Sequence, residues 1–246
     1  MKIIAVYSIK GGVGKTASSV NLAYLAARAG YKTLLCDLDP QSSTSYYFRI
    51  RPSKKFDSGK LIDENKNIEK YIKQSDFDNL DILPSDFSYR NLDLLLDNVK
   101  KSKKKLKSVL KNLKGNYDII FLDCPPNITL FSENIFNAAD IITEPCIPTT
   151  LSILTHEKLY DFLKDSDFNP ESLYTFYSMV ELRKKMHKEI MQQNTDNSNF
   201  LSSFIPYCSD IEKMGIHLQP VFIFAPSGKA AKSYEKLWNE FNNILF

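Results

Sequence analysis

Apolar positions follow two periods along this chain. Continuous apolar runs at residues 3–6, 33–37, 80–83, 117–122, 141–148 and 174–179 predict strands buried on both faces, and a run at 221–224 predicts a last strand. Between these runs the spacing turns helical. Val20, Leu22, Ala23, Leu25, Ala26 and Ala27 predict a helix over 16–29 that stops at Gly30, and residues 132–139 and 152–164 read the same way. Leu92, Leu95, Leu96, Val99, Leu106, Val109, Leu110 and Leu113 share one face of a predicted helix that ends at Gly115 and Asn116. Ser227 is the expected N-cap of a terminal helix, whose stripe of Tyr234, Leu237, Trp238, Phe241, Ile244, Leu245 and Phe246 is expected to dock on the core. Residues 42–67 carry no clear period and contain two breakers, Pro52 and Gly59, so loops and short helices are expected there. Strand and helix in alternation specify an α/β fold, a doubly wound, mostly parallel sheet with helices on both faces.

Composition narrows the class. The 246 residues are 43% hydrophobic and 25% charged, which fits a soluble globular core and excludes a disordered chain. Residues 1–246 are expected to form one domain, and no apolar run has bilayer length. The sequence opens Met-Lys and enters its first strand at once, so neither a signal peptide nor an N-terminal DNA-binding module is expected, and the expected compartment is the cytoplasm. Cys36, Cys124, Cys146 and Cys208 form no C-x-x-C pair and read as buried free thiols. His156, His187 and His217 lack metal-ligand spacing.

Candidate chemistry begins at residues 8–17, Ser-Ile-Lys-Gly-Gly-Val-Gly-Lys-Thr-Ala, set between the first strand and the first helix. Strand, glycine loop and helix in that order are the context of a phosphate-binding loop. Gly11, Gly12 and Gly14 let the backbone close around an anion, so that N–H groups from Lys10 through Val13 to Ala17 can face phosphate oxygens at a helix N-terminus. Lys15 adds positive charge, and Thr16 offers a hydroxyl to the Mg²⁺ of a nucleoside triphosphate. Asp37 and Asp39 leave the second strand within Asp-Leu-Asp-Pro-Gln, and Asp123 ends the central strand. Carboxylates at the C-terminal ends of parallel strands stand where such sheets bind ligands.

Ile9 occupies the place where the usual loop begins with glycine, and Lys10 follows it. Lys10, Gly11, Gly12, Gly14, Lys15 and Thr16 resemble the deviant Walker A motif of the ParA/MinD family of ATPases, in which the early lysine is the defining residue. Asp-Leu-Asp-Pro-Gln at 37–41 and Asp-Cys-Pro-Pro at 123–126 resemble that family's two switches. The resemblance implies a P-loop ATPase with ATP and Mg²⁺ as cofactors. It implies catalytic roles for Lys10, Lys15 and Asp39, a metal and water site organised by Thr16, Asp39 and Asp123, and Asp37 in the metal's outer shell. It also implies an ATP-dependent homodimer in which Lys10 reaches the partner's phosphates, in effect like an arginine finger. Ala17 replaces a common Thr or Ser, and Asn127 a Ser or Gly. Ser178 stands where relatives carry an adenine-contacting asparagine, while Phe204, Ile205 and Pro206 resemble the adenine-side element. The guanine motif Asn/Thr-Lys-x-Asp is absent, which favours ATP over GTP.

The net charge is only +3, but lysines crowd residues 100–107, 183–188 and 229–236. In relatives the basic residues of the C-terminal helices meet DNA. The resemblance therefore assigns Arg183, Lys184, Lys185, Lys229 and Lys232 to non-specific double-stranded DNA, and leaves the central run as a solubilising helix face or a phosphate-backbone surface. The implied function is ATP-dependent DNA partition on the nucleoid, with hydrolysis stimulated by a ParB-like centromere-binding partner. Two functions compete with it. A MinD-like membrane-positioning ATPase needs a basic amphipathic tail, which the Glu- and Asn-rich polar side of the last helix does not supply, so no stable membrane anchor is expected. A small-molecule enzyme of the dethiobiotin synthetase kind needs a further acid, base or substrate constellation, and none is visible.

Overall fold

The computed structural model describes residues 1–195 and 197–246. Strands β1 (Lys2–Val6), β2 (Thr33–Asp37), β3 (Lys73–Gln74), β4 (Leu80–Leu83), β5 (Ile119–Asp123), β6 (Ile141–Cys146), β7 (Leu173–Val180) and β8 (Phe200–Pro206) form one sheet in the order β3-β4-β2-β5-β1-β6-β7-β8. All neighbours are parallel except the short edge pair β3 and β4. Residues along β1 alternate between two cores. Ile3 and Ala5 join one, Ile4 and Val6 the other, and all four are buried, which is why the strand reads as an unbroken apolar run.

The helices are α1 (Lys15–Arg28), α2 (Ser43–Tyr47), α3 (Ser58–Leu61), α4 (Leu92–Asp97), α5 (Lys105–Lys111), α6 (Leu130–Ala138), α7 (Thr150–Asp165), α8 (Lys185–Gln193), α9 (Ser209–His217), α10 (Val221–Phe224) and α11 (Lys229–Leu245). Helices α1 and α11 cover one face of the sheet, where Tyr234, Leu237, Trp238, Phe241 and Leu245 are buried. The expected stripe of the last helix thus lies in the core, with Phe246 left exposed. Helices α4 to α7 cover the other face through Leu92, Leu106, Ile135 and Leu159. Gly30 ends α1 at φ 95°, a left-handed conformation that lets its N–H reach Ala27 O at 2.9 Å and the Tyr31 N–H reach Ala26 O at 3.2 Å.

From β1 the chain passes over β5 to reach β2, and from β5 it passes over β1 to reach β6. The winding therefore reverses at β1 and β5, and a crevice opens beyond their C-terminal ends. Residues 7–14, 38–42 and 124–129 all leave the sheet at that edge.

Three expectations fail. Residues 221–224 form the helical turn α10 rather than a strand. Pro220 starts it with fixed backbone geometry, buried Asn21 accepts the Val221 N–H at 3.0 Å, and Ala225 N closes the turn on Val221 O at 2.9 Å. The cap of α11 is Gly228 rather than Ser227, and a side chain at 228 would lie 3.0 Å from both Ala225 O and an Asp210 carboxylate oxygen. The helix read across 92–113 is two helices, α4 and α5, separated by a left-handed residue, Lys101 at φ 55°, and a 3₁₀ turn over Ser102–Lys104. Lysines four residues apart, such as Lys100 with Lys104 and Lys103 with Lys107, would repel along a continuous helix, and α6 offers the chain a second start. The buried Asn134 carboxamide oxygen accepts the Lys105 and Leu106 N–H groups at 2.9 and 3.3 Å. Leu95 and Val99, expected inside, are each 38% exposed as a result.

Asn134→Ala is expected to lower unfolding stability by about 1 kcal/mol, the usual worth of a helix N-cap, read as a lower denaturant midpoint with an unchanged m-value. An unchanged midpoint would show that α5 starts without this cap.

Candidate active site

The loop after β1 turns through Gly12 at φ 70° and Gly14 at φ 92°, conformations that exclude ordinary side chains. Beyond Gly14 the chain enters α1, whose first residue is Lys15. The Lys15 ammonium is buried and donates to Lys10 O at 3.0 Å, which folds the side chain back along its own loop. Burial pulls its pKa below the ordinary lysine value, and the nearby Asp123 carboxylate opposes that shift.

Asp37 and Asp123 end β2 and β5 and stand directly opposite one another in the parallel register. Both are almost fully buried, at 0% and 1% exposure, and desolvation raises both carboxyl groups above the usual carboxylate range, helped at Asp37 by the charge of Asp123 and at Asp123 by that of Asp39. Hydroxyl groups supply their partners. Asp123 accepts from Thr44 Oγ1 at 2.7 Å and from Ser19 Oγ at 3.1 Å, and the Thr16 hydroxyl also favours its ionised form. Asp37 accepts from the Ser45 N–H at 2.7 Å and from Ser45 Oγ at 2.6 Å. Ser45 Oγ in turn accepts the Ser85 N–H at 3.0 Å, and Ser85 Oγ donates to Asp39 O at 2.6 Å. Asp39 itself is half-buried, with Oδ1 taking the Gln41 N–H at 2.9 Å, and its charge is felt by both Lys15 and Asp123. The structure therefore brings Lys15, Thr16, Asp39 and Asp123 to one place.

Lys10 points elsewhere. Its ammonium is half-buried and donates to Ser152 Oγ on α7 at 2.9 Å. The start of the loop is tied by a buried chain of polar groups, from Ser8 Oγ to Glu144 Oε1 at 3.3 Å and from Glu144 Oε2 to His156 Nδ1 at 2.7 Å. On the other side of the loop, a Cβ on Gly14 would lie 3.0 Å from Ser178 Oγ, so buried Ser178 abuts the phosphate loop directly. Ser178 and Pro206 share a narrow cleft of about 50 Å³ with Gly14, Ile205, Ile211 and Tyr234. Arg183, Lys184, Lys185, Lys229 and Lys232 lie on or beside α8 and α11, outside this crevice; Lys184 pairs with Glu181, and Lys185 with Glu189 at 3.3 Å.

Sequence reading missed Ser19, Thr44, Ser45, Ser85, Glu144 and Ser152. Ser19 had a visible signal, because it follows Thr16 by three residues and so shares its helix face. The others are ordinary hydroxyls and one strand carboxylate whose partners are set by sheet order.

Among the described residues, no group of three or more His, Cys, Asp or Glu side chains is placed to hold a metal. That donor set still fits Mg²⁺, which keeps several waters and binds through one or two carboxylates together with substrate phosphates.

The model of the AAA_31 family, described as an AAA domain, matches residues 1–172. This chain belongs to the AAA_31 family. It is 28% identical over 249 residues to the virulence plasmid ParA family protein pGP5-D of Chlamydia psittaci, covering 100% of this chain and 96% of that protein. It is 28% identical over 249 residues to the chromosome-partitioning ATPase Soj of Treponema pallidum, covering 97% and 96%. A plasmid partition protein structure from Borrelia burgdorferi B31 bound to AMPPNP superposes with a TM-score of 0.87 at 26% identity, over 98% of both chains. Within AAA_31 the chain is a ParA-type P-loop ATPase.

Two outcomes test this geometry. Thr44→Val leaves the buried Asp123 carboxylate short of a donor and is expected to lower stability by about 1–3 kcal/mol, whereas Thr44→Ser stays near wild type in the same unfolding titration. Asp37 has a folded-state pKa above its unfolded one, so its ionisation penalty is absent below the unfolded value, grows as pH rises from there, and levels off above the folded value. The nucleotide-free wild type should therefore lose stability relative to Asp37→Asn as pH rises from the ordinary carboxylate range past neutrality. A pH-independent difference between the two would contradict the burial reading.

Proposed function

We propose that this ParA-type ATPase, acting as a single domain over residues 1–246, is an ATP-dependent DNA partition protein. In this reading Mg-ATP drives homodimerisation, the dimer holds DNA on the nucleoid without sequence preference, and a ParB-like centromere-binding partner stimulates hydrolysis. The carrying observation is the division of labour between two lysines. Lys15 is buried within its own loop, while among the described residues the Lys10 ammonium is held by the neutral Ser152 hydroxyl and makes no ion pair. An ammonium on a neutral acceptor gains by moving to an anionic one, so a partner's phosphate can draw Lys10 away from α7.

The residue roles follow from placement. Backbone N–H groups of residues 11–16 hold the phosphates, and Lys15 offsets charge on the β- and γ-groups. Thr16, Asp39 and Asp123 would hold Mg²⁺, which would neutralise charge developing on the transferred phosphoryl group. Asp39 orients the attacking water, with its backbone fixed by Ser85 and its carboxylate steadied by Gln41 N. Thr44 and Ser45 tie the segment that follows Asp39 to Asp123 and Asp37, so metal and water geometry are linked to the position of α2. Ser178 and Pro206 line the cleft beside Gly14 that would take the base.

A membrane-positioning role has less support. The apolar stripe of α11 is used in the core, and among the described residues no helix is long and apolar enough to cross a membrane.

ATP binding and hydrolysis, each measured with and without DNA, test this reading. Lys15→Ala is expected to weaken ATP binding by more than about tenfold, the worth of a lost charged contact. Lys10→Ala is expected to keep binding but lose the DNA-stimulated part of hydrolysis. Equal loss of nucleotide affinity in both variants would refute a role for Lys10 across the dimer.

A further inference from the structure

The densest block of positive charge in this chain is residues 100–114. Residues 100–114 contain eight lysines and no acid, and since the whole chain is +3, the other residues sum to −5. Two of these lysines are used internally: Lys103 pairs with Glu133 at 2.7 Å and Lys105 with Glu64 at 3.3 Å. Lys100, Lys101, Lys104, Lys107, Lys111 and Lys114 are all exposed and make no ion pair among the described residues. Near the C-terminal end Lys184 and Lys185 are each matched by a glutamate on the same segment, while Arg183, Lys188, Lys229, Lys232 and Lys236 are exposed without an ion pair among the described residues but fall in two shorter blocks.

The free lysines are arranged as well as concentrated. Leu106, Val109 and Leu110 on α5 are fully buried, so Lys104, Lys107 and Lys111, spaced at three and four residues, line the outward side. At the helical rise this row is about 10 Å long, and duplex DNA presents one charge per ~1.7 Å of its axis. The row is also fixed in place. Asn134 caps α5 at 2.9 Å, Glu133 holds Lys103, and the Phe131 N–H on α6 donates to Asp93 Oδ1 at 2.9 Å, binding α4 to α6.

We infer that the exposed lysines around α5, Lys104, Lys107 and Lys111 above all, form the principal surface of this protein for the phosphate backbone of duplex DNA. The inference rests on the partition reading and places its DNA contact on the face formed by α4 to α6. Residues 100–114 include no aromatic side chain on which a base could stack, so the surface suits backbone rather than unpaired bases. An anionic membrane fits less well. The exposed apolar residues nearby are Leu94, Leu95 and Val99, and the last two line a groove with Asp63 and Glu64, whose charges oppose an acidic bilayer.

The test is a fluorescence-anisotropy titration of the full chain, with Mg²⁺ and AMPPNP, on a labelled duplex of arbitrary sequence across a salt series. The triple variant K104Q/K107Q/K111Q is expected to lose more than about tenfold in affinity and to lower the log–log salt slope by about three. Its basal ATPase rate without DNA should match wild type, which separates lost contact from misfolding. The variant R183Q/K184Q/K185Q/K229Q/K232Q is expected to change affinity less. If the triple variant keeps wild-type affinity and slope while the quintuple variant loses both, the inference is overturned and the partition reading stands. If wild type binds no duplex even at low salt, both fall. If wild type instead binds vesicles of anionic phospholipid and the triple variant does not, the surface is real but the partner is lipid, and the inference is overturned.

Discussion

Two carboxylates, Asp37 and Asp123, stand side by side at the ends of adjacent parallel strands with almost no contact with water. Two like charges in that position are unfavourable unless other groups compensate them. In this protein the compensation comes from three separate segments: the helix after the glycine loop gives Ser19 and Lys15, α2 gives Thr44 and Ser45, and the turn after β4 gives Ser85. Each of these segments is thereby held to the same edge of the sheet. A cation placed between loop and strand ends would change the electrostatics of all three together.

The same logic separates the two lysines of the loop. Lys15 lies inside the carboxylate cluster, and its charge balances what burial leaves exposed to repulsion. Lys10 lies outside the cluster and is held on α7, a helix whose next turn carries His156 against Glu144 and so reaches the start of the loop from below. Loop, α7 and β6 thus form one connected unit. Movement of Lys10 toward a second molecule would release the Ser152 hydroxyl of α7 from that ammonium.

Much of this was legible in the chain. Both-face burial made β1, β2 and β5 readable from composition alone, and the glycine loop between β1 and α1 was unmistakable from its spacing. Asp37 and Asp123 were readable as strand-end carboxylates because they end apolar runs. What escaped depends on contacts far apart in sequence. The break between α4 and α5 is set by Asn134 on α6, and 221–224 became helical because Asn21 on α1 captures the Val221 N–H. Gly228 replaced Ser227 as a cap because Ala225 and Asp210 fill the space a side chain would need. Thr44 and Ser45 looked like loop residues, since their acceptors come from two different strands.

Light-scattering mass in solution tests the central claim most directly, because a trans role for Lys10 requires a second subunit. With Mg²⁺ and AMPPNP the wild-type particle should double in mass relative to its ADP form, and Lys10→Ala should stay at the single-chain mass in both. A wild-type mass that is the same with either nucleotide would contradict the account.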